Sequence, residues 1–282
     1  MHACVVLWGF TAILGSWITL PANVLVFWRL VMVVAVLLSL PSVRREACNL
    51  PARTALSYAA VGTVLTMHWV TFYGTIRLAN ASVAASCMAL SPVFLALVEP
   101  WIARRRFDAR ELLLGLLAVP GVALVVGGVP TVKRIGVAVG ALSALLVALT
   151  GALNKRLVTS NAVRPLTITC VELGAGVVFL AVLGVARVGA APFSVVPGVH
   201  DALLLFLLAT ACTIVPFALS LDALRHISAY RAQLTVNLEP LYAVGLAALL
   251  LGDRHELAPS FYVGVAIVLG VVFAYPALGR RA

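Results

Sequence analysis

The sequence predicts an all-α, polytopic membrane protein with ten transmembrane helices. Of its 282 residues, 63% have hydrophobic side chains and only 11% are charged, whereas soluble domains carry about 25% charged residues. So few charges cannot cover the surface of a soluble globule, and such high hydrophobicity excludes a disordered chain. The apolar runs are continuous and do not alternate with polar residues, which favours spanning helices over the strands of a membrane barrel.

Ten apolar runs approach the length of about 20 residues that crosses a bilayer core. Charge clusters, prolines and glycines separate them. The predicted helices cover residues 2–20, 22–40, 55–77, 80–101, 111–129, 135–154, 165–187, 201–222, 229–251 and 259–278. The break at residues 20–23 carries no charge, so the first two helices should form a tight hairpin. The first run has no basic segment before it, which favours a mature helix over a cleaved signal.

The lysines and arginines predict the orientation. If both termini are cytoplasmic, the inside loops and the tail hold 13 of the 20 basic residues, the outside loops hold 5, and Arg29 and Arg231 fall within helices. Cytoplasmic loops are the ones enriched in Lys and Arg, so both termini are predicted inside. The net charge of +10 is spread over short loops, which argues against a nucleic-acid partner.

Two segments in corresponding positions suggest an internal repeat. Arg77 to Pro92 and Arg225 to Pro240 each run 15 positions from arginine to proline, at an offset of 148 residues. The shared order of elements predicts two five-helix units, residues 1–129 and 130–282. Because five is odd, the second unit is inverted in the membrane. Inverted repeats are typical of transporters whose binding site lies near the bilayer midplane.

Several short motifs occupy characteristic places in this helix order. They are Trp8-Gly9, Pro21 and Arg29, His68-Trp69, Ser91-Pro92, Asn237-Leu238-Glu239-Pro240 and Gly252-Asp253. Over nearly the whole chain, this set resembles the EamA-type transporters of the drug/metabolite transporter superfamily. The Asn-Leu-Glu-Pro stretch is the most specific piece, and Asp253 stands where a glutamate is common. The resemblance implies a carrier of the bacterial inner membrane, often an exporter of amino acids or other small metabolites.

Three ionisable residues stand out within the predicted spans: Arg29, Glu172 and Glu239. Each costs about 2.5–3.5 kcal/mol on insertion scales, which makes it a functional candidate. We hypothesise that Arg29 binds an anionic group of the substrate, since a guanidinium stays charged when buried. Glu172 or Glu239 would then pair with Arg29 in the empty site or carry a coupling proton. Purely structural ion pairs, and an Arg29 that reaches the outer headgroups, are the alternatives.

Pro92 and Pro240 occupy equivalent places in the two units. A proline within a helix frees a carbonyl and kinks the helix, and broken helices line transporter sites. Asn237 lies three residues before Pro240, where it could bond a freed carbonyl or a substrate. Kinks without any ligand contact are the alternative for both prolines.

Aromatic and histidine side chains form a second group of substrate-binding candidates: Trp8, His68, Trp69 and Tyr73. The rings could line a cavity for an amphipathic substrate. The histidine could bond the substrate or shuttle a proton, although a hydrogen bond between helices is its commoner role.

Other chemistry has little support in the sequence. The five cysteines form no CxxC pair, and no phosphate-binding GxxxxGK[ST] or hydrolase motif occurs, so we expect no metal, no cofactor and no ATPase domain. Gly136-xxx-Gly140 is a close-packing motif. It could bring helices together within one chain or between two chains, so a homodimer is one of two interpretations of this motif.

The leading hypothesis is therefore a secondary carrier that exports small metabolites by alternating access. Coupling to protons is one candidate energy source. A membrane-embedded enzyme or a flippase for lipid-linked substrates is the alternative. A channel is less favoured, because it would need rings of like charge around a pore.

Overall fold

The computed structural model describes residues 1–79, 81–117, 119–120, 134–186, 194–236, 238–239, 242, 263, 266–267 and 270. These residues form helices and connecting segments, without strands. The helices are α1 (His2–Trp17), α2 (Ala22–Leu38), α3 (Pro41–Cys48), α4 (Ala52–Leu78), α5 (Ala81–Met88), α6 (Ser91–Ala103), α7 (Ala109–Leu116), α8 (Arg134–Ser160), α9 (Pro165–Ala186), α10 (Val199–His226) and α11 (Ala229–Val236). The predicted all-α membrane fold class is confirmed.

Prolines mark the starts of several helices. Pro21 is the N-cap of α2 and Pro51 the N-cap of α4, while Pro41 and Pro165 are the first residues of α3 and α9. Proline suits these positions because its φ angle is already helical and the first turn needs no N–H donor. The α1–α2 hairpin follows directly, since α1 ends at Trp17 and α2 begins at Ala22.

The structure corrects the sequence prediction in two places. The helix predicted over residues 80–101 is divided into α5 and α6, and Pro92 is the second residue of α6. Pro92 therefore begins a helix and does not kink a continuous one. The second difference is α3, which lies in the predicted loop after the second span and is bent by 98° from α2.

Four of the described helices are long and apolar enough to cross a membrane: α4, α8, α9 and α10. The bent pair α2–α3 would make a fifth span, and α1 and α6 are shorter apolar helices. Large apolar side chains such as Leu56, Val182 and Leu203 point outward on these helices, as expected for a surface in contact with lipid. The ten-span count remains a prediction, because much of the spans at 111–129, 229–251 and 259–278 lies outside the described residues.

Glycines allow α4 and α9 to touch backbone to backbone. A Cβ added to Gly62 would lie 1.9 Å from the carbonyl oxygen of Glu172, and one added to Gly176 would lie 2.1 Å from the hydroxyl oxygen of Thr66. Small residues permit such approaches between membrane helices. This contact fixes the position of α9, and with it Glu172, against the middle of α4.

The Gly136-xxx-Gly140 motif packs within the chain. A Cβ on Gly136 would meet Ala79 at 2.9 Å, and one on Gly140 would meet the sulfur of Cys87 at 2.7 Å. The motif therefore brings α8 against the end of α4 and against α5.

The two repeat arginines make similar contacts. Arg77, near the end of α4, donates to the carbonyls of Ile18 and Leu20 at 3.3 and 2.9 Å, in the α1–α2 turn. Arg225, near the end of α10, donates to the carbonyl of Val163, in the α8–α9 turn. Each arginine thus ties the third predicted span of its unit to the hairpin before it. This likeness supports the division into units 1–129 and 130–282, which remains a proposal.

Replacement of Gly62 by alanine should destabilise the protein, because the added methyl would overlap the backbone of α9. Overpacking of this kind costs about 1–3 kcal/mol, and we expect a lower melting temperature in detergent. Gly174→Ala is the matched control, because a Cβ on Gly174 would meet nothing within 4 Å. Equal melting temperatures for the two variants would contradict the described α4–α9 contact.

Candidate functional site

A cavity of about 160 Å³ lies between α1, α2, α4, α8, α10 and α11. Five aromatic side chains form much of its wall: Trp8, Trp69, Phe72, Tyr73 and Phe217. The rings of Trp8 and Trp69 both meet Phe217 edge to face, with centroid distances of 5.9 and 5.6 Å. The wall is therefore mainly apolar, with a few polar groups placed within it, as is usual for small-molecule sites.

Arg29 brings a positive charge to this cavity. Its side chain extends from α2 and is only 2% exposed. Nε donates to the hydroxyl of Thr213 at 2.9 Å, Nη1 to the hydroxyl of Tyr73 at 3.0 Å, and Nη2 to the carbonyl of Cys212 at 3.4 Å. The guanidinium also lies over the ring of Trp69, with Cζ 4.1 Å from the centroid. A cation in this position is attracted by the negative face of the indole.

The acceptors for Arg29 on α10 come from a local irregularity. Residues Thr210–Ile214 form a π-helical turn, and Thr213 donates its own hydroxyl proton to the carbonyl of Leu208, five residues earlier. Pro216 has no N–H to give to the carbonyl of Cys212, four residues before it. That carbonyl is therefore available to Arg29. Single π-helical turns of this kind often occur at functional sites.

Part of the guanidinium remains available to a ligand. Arginine has five N–H donors, and the described residues accept from three of them. One N–H on each Nη atom is left, on a side chain that lines the cavity. Two N–H groups of one guanidinium suit the two oxygens of a carboxylate.

His68 adds a hydrogen-bond acceptor to the cavity. Its Nδ1 lies 3.0 Å from the carbonyl oxygen of Ser143, and the Ser143 hydroxyl donates to the carbonyl of His68 at 3.0 Å. The Ser143 hydroxyl oxygen also lies 2.9 Å from Nδ1. With the hydroxyl proton directed to the His68 carbonyl, both Ser143 oxygens accept from Nδ1, which corresponds to a neutral ring protonated on Nδ1 with a lone pair on Nε2. His68 is therefore suited to both roles considered from the sequence. Its Nδ1 bonds to a neighbouring helix, while Nε2 has no partner among the described residues and belongs to a residue that lines the cavity.

Glu172 lies apart from Arg29. Its side chain is fully buried, and Oε2 accepts from the amide of Asn154 on α8 at 3.5 Å. Asn154 lines the cavity, whereas Glu172 does not. Within the described part of the chain, Arg29 forms ion pairs with neither Glu172 nor Glu239; its partners are two hydroxyls, a carbonyl and a ring.

The remaining predicted residues divide into three cases. Glu239 lines the same cavity as Arg29, is partly exposed, and is close enough for the arginine charge to act on it. Pro92 follows the break between α5 and α6, where Gln233 donates to the hydroxyl of Ser91 at 2.7 Å. Asn237 and Pro240 lie outside the described residues.

Sequence reasoning missed the uncharged polar residues at or beside the cavity: Thr11, Ser143, Thr150, Asn154, Thr213, Ser220 and Gln233. Isolated Ser, Thr, Asn and Gln residues carry little signal in an apolar helix. Only Thr213 had a usable marker, because Pro216 within a long apolar run predicts a free carbonyl at Cys212. Glu99, near the end of α6, does not line the cavity. It is only 1% exposed and forms an ion pair with Arg105 at 3.0 Å.

Replacement of Thr213 by valine should destabilise the protein while preserving the shape of the side chain. The Arg29 Nε–H would lose its acceptor, and a buried donor without a partner costs about 1–3 kcal/mol. Thermal unfolding in detergent measures the loss, and Thr213→Ser should recover most of it. Thr210→Val is the control, because the Thr210 hydroxyl bonds only within its own helix and faces outward. Identical melting curves for both valine variants would argue against the Thr213–Arg29 bond.

The chain is similar to one known protein family and to a solved structure. The model of the EamA-like transporter family matches residues 1–127 and 134–275. One crystal structure, described simply as that of a protein, has a TM-score of 0.75 and 15% sequence identity, with coverage of 99% of this chain and 96% of the other. At that identity, the likeness concerns the fold alone. None of the curated proteins matches the chain significantly.

Proposed function

The chain belongs to the EamA-like transporter family, and from this premise we propose that it is a secondary carrier exporting amino acids or related amphipathic solutes. Membership in this family and the apolar spans make it a multi-pass membrane protein of a transporter family. The substrate class, the direction of transport and the energy source of transport are parts of the proposal. The placement of the protein in the bacterial inner membrane, with both termini in the cytoplasm, is also part of it.

The observation that supports this substrate class is the Arg29 guanidinium in an aromatic cavity, where two of its five N–H groups have no acceptor among the described residues. Its two remaining N–H groups suit a carboxylate, and the rings of Trp8, Trp69 and Phe217 suit an apolar side chain. Nε2 of His68 and the carboxylate of Glu239 suit an ammonium group. The three kinds of contact together match a zwitterion with an apolar side chain.

The lining of the cavity supports loading from the cytoplasm. Met1, Leu224 and Ala229 form part of the wall, and under the proposed orientation they lie toward the cytoplasmic side. On the opposite side, Asp201 accepts hydrogen bonds from the backbone N–H and the hydroxyl of Thr19 at 3.1 and 2.8 Å. This contact joins the start of α10 to the α1–α2 turn. Alternating access would open this contact after the cytoplasmic side closes.

A role in catalysis on a lipid-linked substrate receives less support. Glu172, the most deeply buried of the candidate carboxyls, does not line the cavity. Such an enzyme would need its acid or base in contact with the reacting group. Glu239 and His68 do line the cavity, so the preference for binding and release over catalysis rests on the transporter family.

Arg29→Gln should abolish most amino-acid exchange in proteoliposomes, because the charge-assisted bond to the substrate carboxylate is lost. Such a bond is worth about 1.5–3 kcal/mol, which corresponds to roughly 10- to 100-fold weaker binding. Counterflow of radiolabelled amino acids, tested across the proteinogenic set, measures the effect. Arg156→Gln is the control, because Arg156 is exposed and outside the cavity.

L-leucinamide provides a second control for the same proposal. It keeps the side chain and the ammonium group of L-leucine but has no carboxylate, so it should compete for the wild-type carrier at least about tenfold more weakly than L-leucine. Equal competition by the two compounds would remove the assigned role of Arg29. Absence of counterflow for every amino acid would refute the substrate class.

A further inference from the structure

Among the described residues, the buried carboxyl group of Glu172 has no counter-charge within ion-pair distance. The residue has no exposed surface, and none of the described residues forms a hydrogen bond to Oε1. Oε2 has one long bond, from Asn154 Nδ2 at 3.5 Å. Oδ1 of Asn154 is also buried and without a partner, although the residue itself lines the cavity. Two unpartnered oxygens therefore belong to one contacting pair of side chains.

Three basic side chains on the neighbouring helices bond to other acceptors, although Nε of Arg225 is buried without a partner among the described residues. Arg29 on α2 donates to groups on α4 and α10. Arg225 on α10 donates through Nη2 to the carbonyl of Val163. Lys155, next to Asn154 on α8, donates to the carbonyls of Leu224 and Ile227 at 2.7 and 2.9 Å. In the described part of the chain, none of these groups lies within ion-pair distance of Glu172.

The other titratable groups that face Glu172 do not supply a positive charge either. Tyr58 on α4 is near enough to interact with the carboxyl electrostatically, and its hydroxyl donates to the carbonyl of Leu157 at 3.5 Å. Glu46 on α3 pairs with Arg164 at 2.7 Å. In the part of the chain that the structure describes, Glu172 is thus surrounded by neutral groups and by charged groups that bond elsewhere, and none of them is an ion-pair partner for its carboxyl.

A protonated, and therefore neutral, Glu172 carboxyl is the form that suits these surroundings. An isolated buried carboxylate is far less stable than one in water, so such a group binds a proton or a cation. The amide of Asn154 can serve both protonation states. Its NH₂ donates to the carboxylate, and after a half-turn of the amide its oxygen accepts from the protonated carboxyl. The half-turn exchanges the two amide atoms without displacing a helix.

Asn154 also provides the path to the proton source. It lines the cavity on one side and contacts Glu172 on the other. Rotation of this single side chain can therefore connect the carboxyl to water in the cavity.

We propose that Glu172, capped by Asn154, is a proton-binding site of this carrier, distinct from the substrate contacts at Arg29. Hydronium in water outside the cell gives a proton to a Glu172 oxygen, where an O–H bond forms and a water molecule remains. When the carboxyl is exposed to cavity water on the cytoplasmic side, the O–H bond breaks, the proton passes to a water molecule as hydronium, and the carboxylate remains. The coupling of this proton to substrate export rests on the proposed function, whereas the protonation of Glu172 does not.

Infrared spectroscopy of the purified full-length protein in detergent tests the site without any substrate. At pH 7 the wild type should show a carboxylic acid C=O band that Glu172→Gln removes and that disappears as pH is raised. Asn154→Leu should shift its frequency, because the hydrogen bond to the amide is lost. Glu99→Gln is the matched control, since Glu99 is equally buried but paired with Arg105, and should leave the band unchanged. The site is overturned if the wild type has no band at pH 7 that Glu172→Gln removes.

Transport of L-leucine in proteoliposomes tests the coupling. A pH difference of one unit should support up to about a tenfold concentration ratio in one-for-one exchange with protons. Glu172→Gln should retain counterflow but reduce this ratio to one. A ratio that persists in Glu172→Gln, or one that follows a sodium gradient in the wild type, overturns proton coupling at Glu172. If counterflow is absent for every amino acid, the proposed function fails, and the infrared band still decides whether Glu172 holds a proton.

Discussion

The buried positive charge of Arg29 is the constraint around which the centre of this protein is organised. A guanidinium cannot lose its proton in a protein, so every surrounding element must stabilise it as a cation. α4 contributes the face of Trp69 and the hydroxyl of Tyr73, while α10 contributes the hydroxyl of Thr213 and a free carbonyl. Each of these groups is neutral. The groups that bond or stack on the guanidinium are therefore dipoles and a π-system, while the Glu239 carboxyl lines the same cavity without forming an ion pair with it.

The helix packing explains why the two ionisable centres are separate. Because Gly62 has no side chain, the backbone of α9 packs closely against α4 at Glu172. In this position the carboxyl of Glu172 contacts Asn154 on α8. Arg29 extends from α2 toward α10 instead. One centre is thus suited to an anionic group of a solute, and the other to a small cation. Their connection runs through the cavity that Arg29 and Asn154 both line.

The sequence predicted the fold class and the charged and several of the aromatic residues of the cavity, for physical reasons that the structure explains. Arg29, His68, Trp69 and Tyr73 were found because charged and aromatic groups are conspicuous in an apolar helix, and all four line the cavity. The pairing of Arg29 with Glu172 was not found in the structure. Distance along a helix gives the depth of a residue but not the direction of its side chain. The division of the helix predicted at 80–101 and the turn that holds Thr213 depend on neighbouring helices, which a single sequence does not describe.

The π-helical turn at Thr210–Ile214 has a further consequence for the shape of the cavity. Such a turn accommodates one more residue than an α-helical turn, and each residue advances an α-helix by about 100°. The turn therefore sets the angular register of everything after it on α10. Phe217, Ser220, Leu221 and Leu224 all follow it, and all line the cavity. Deletion of one residue from this turn would rotate these four side chains toward a different neighbouring helix. The local irregularity therefore determines which side chains of α10 line the cavity.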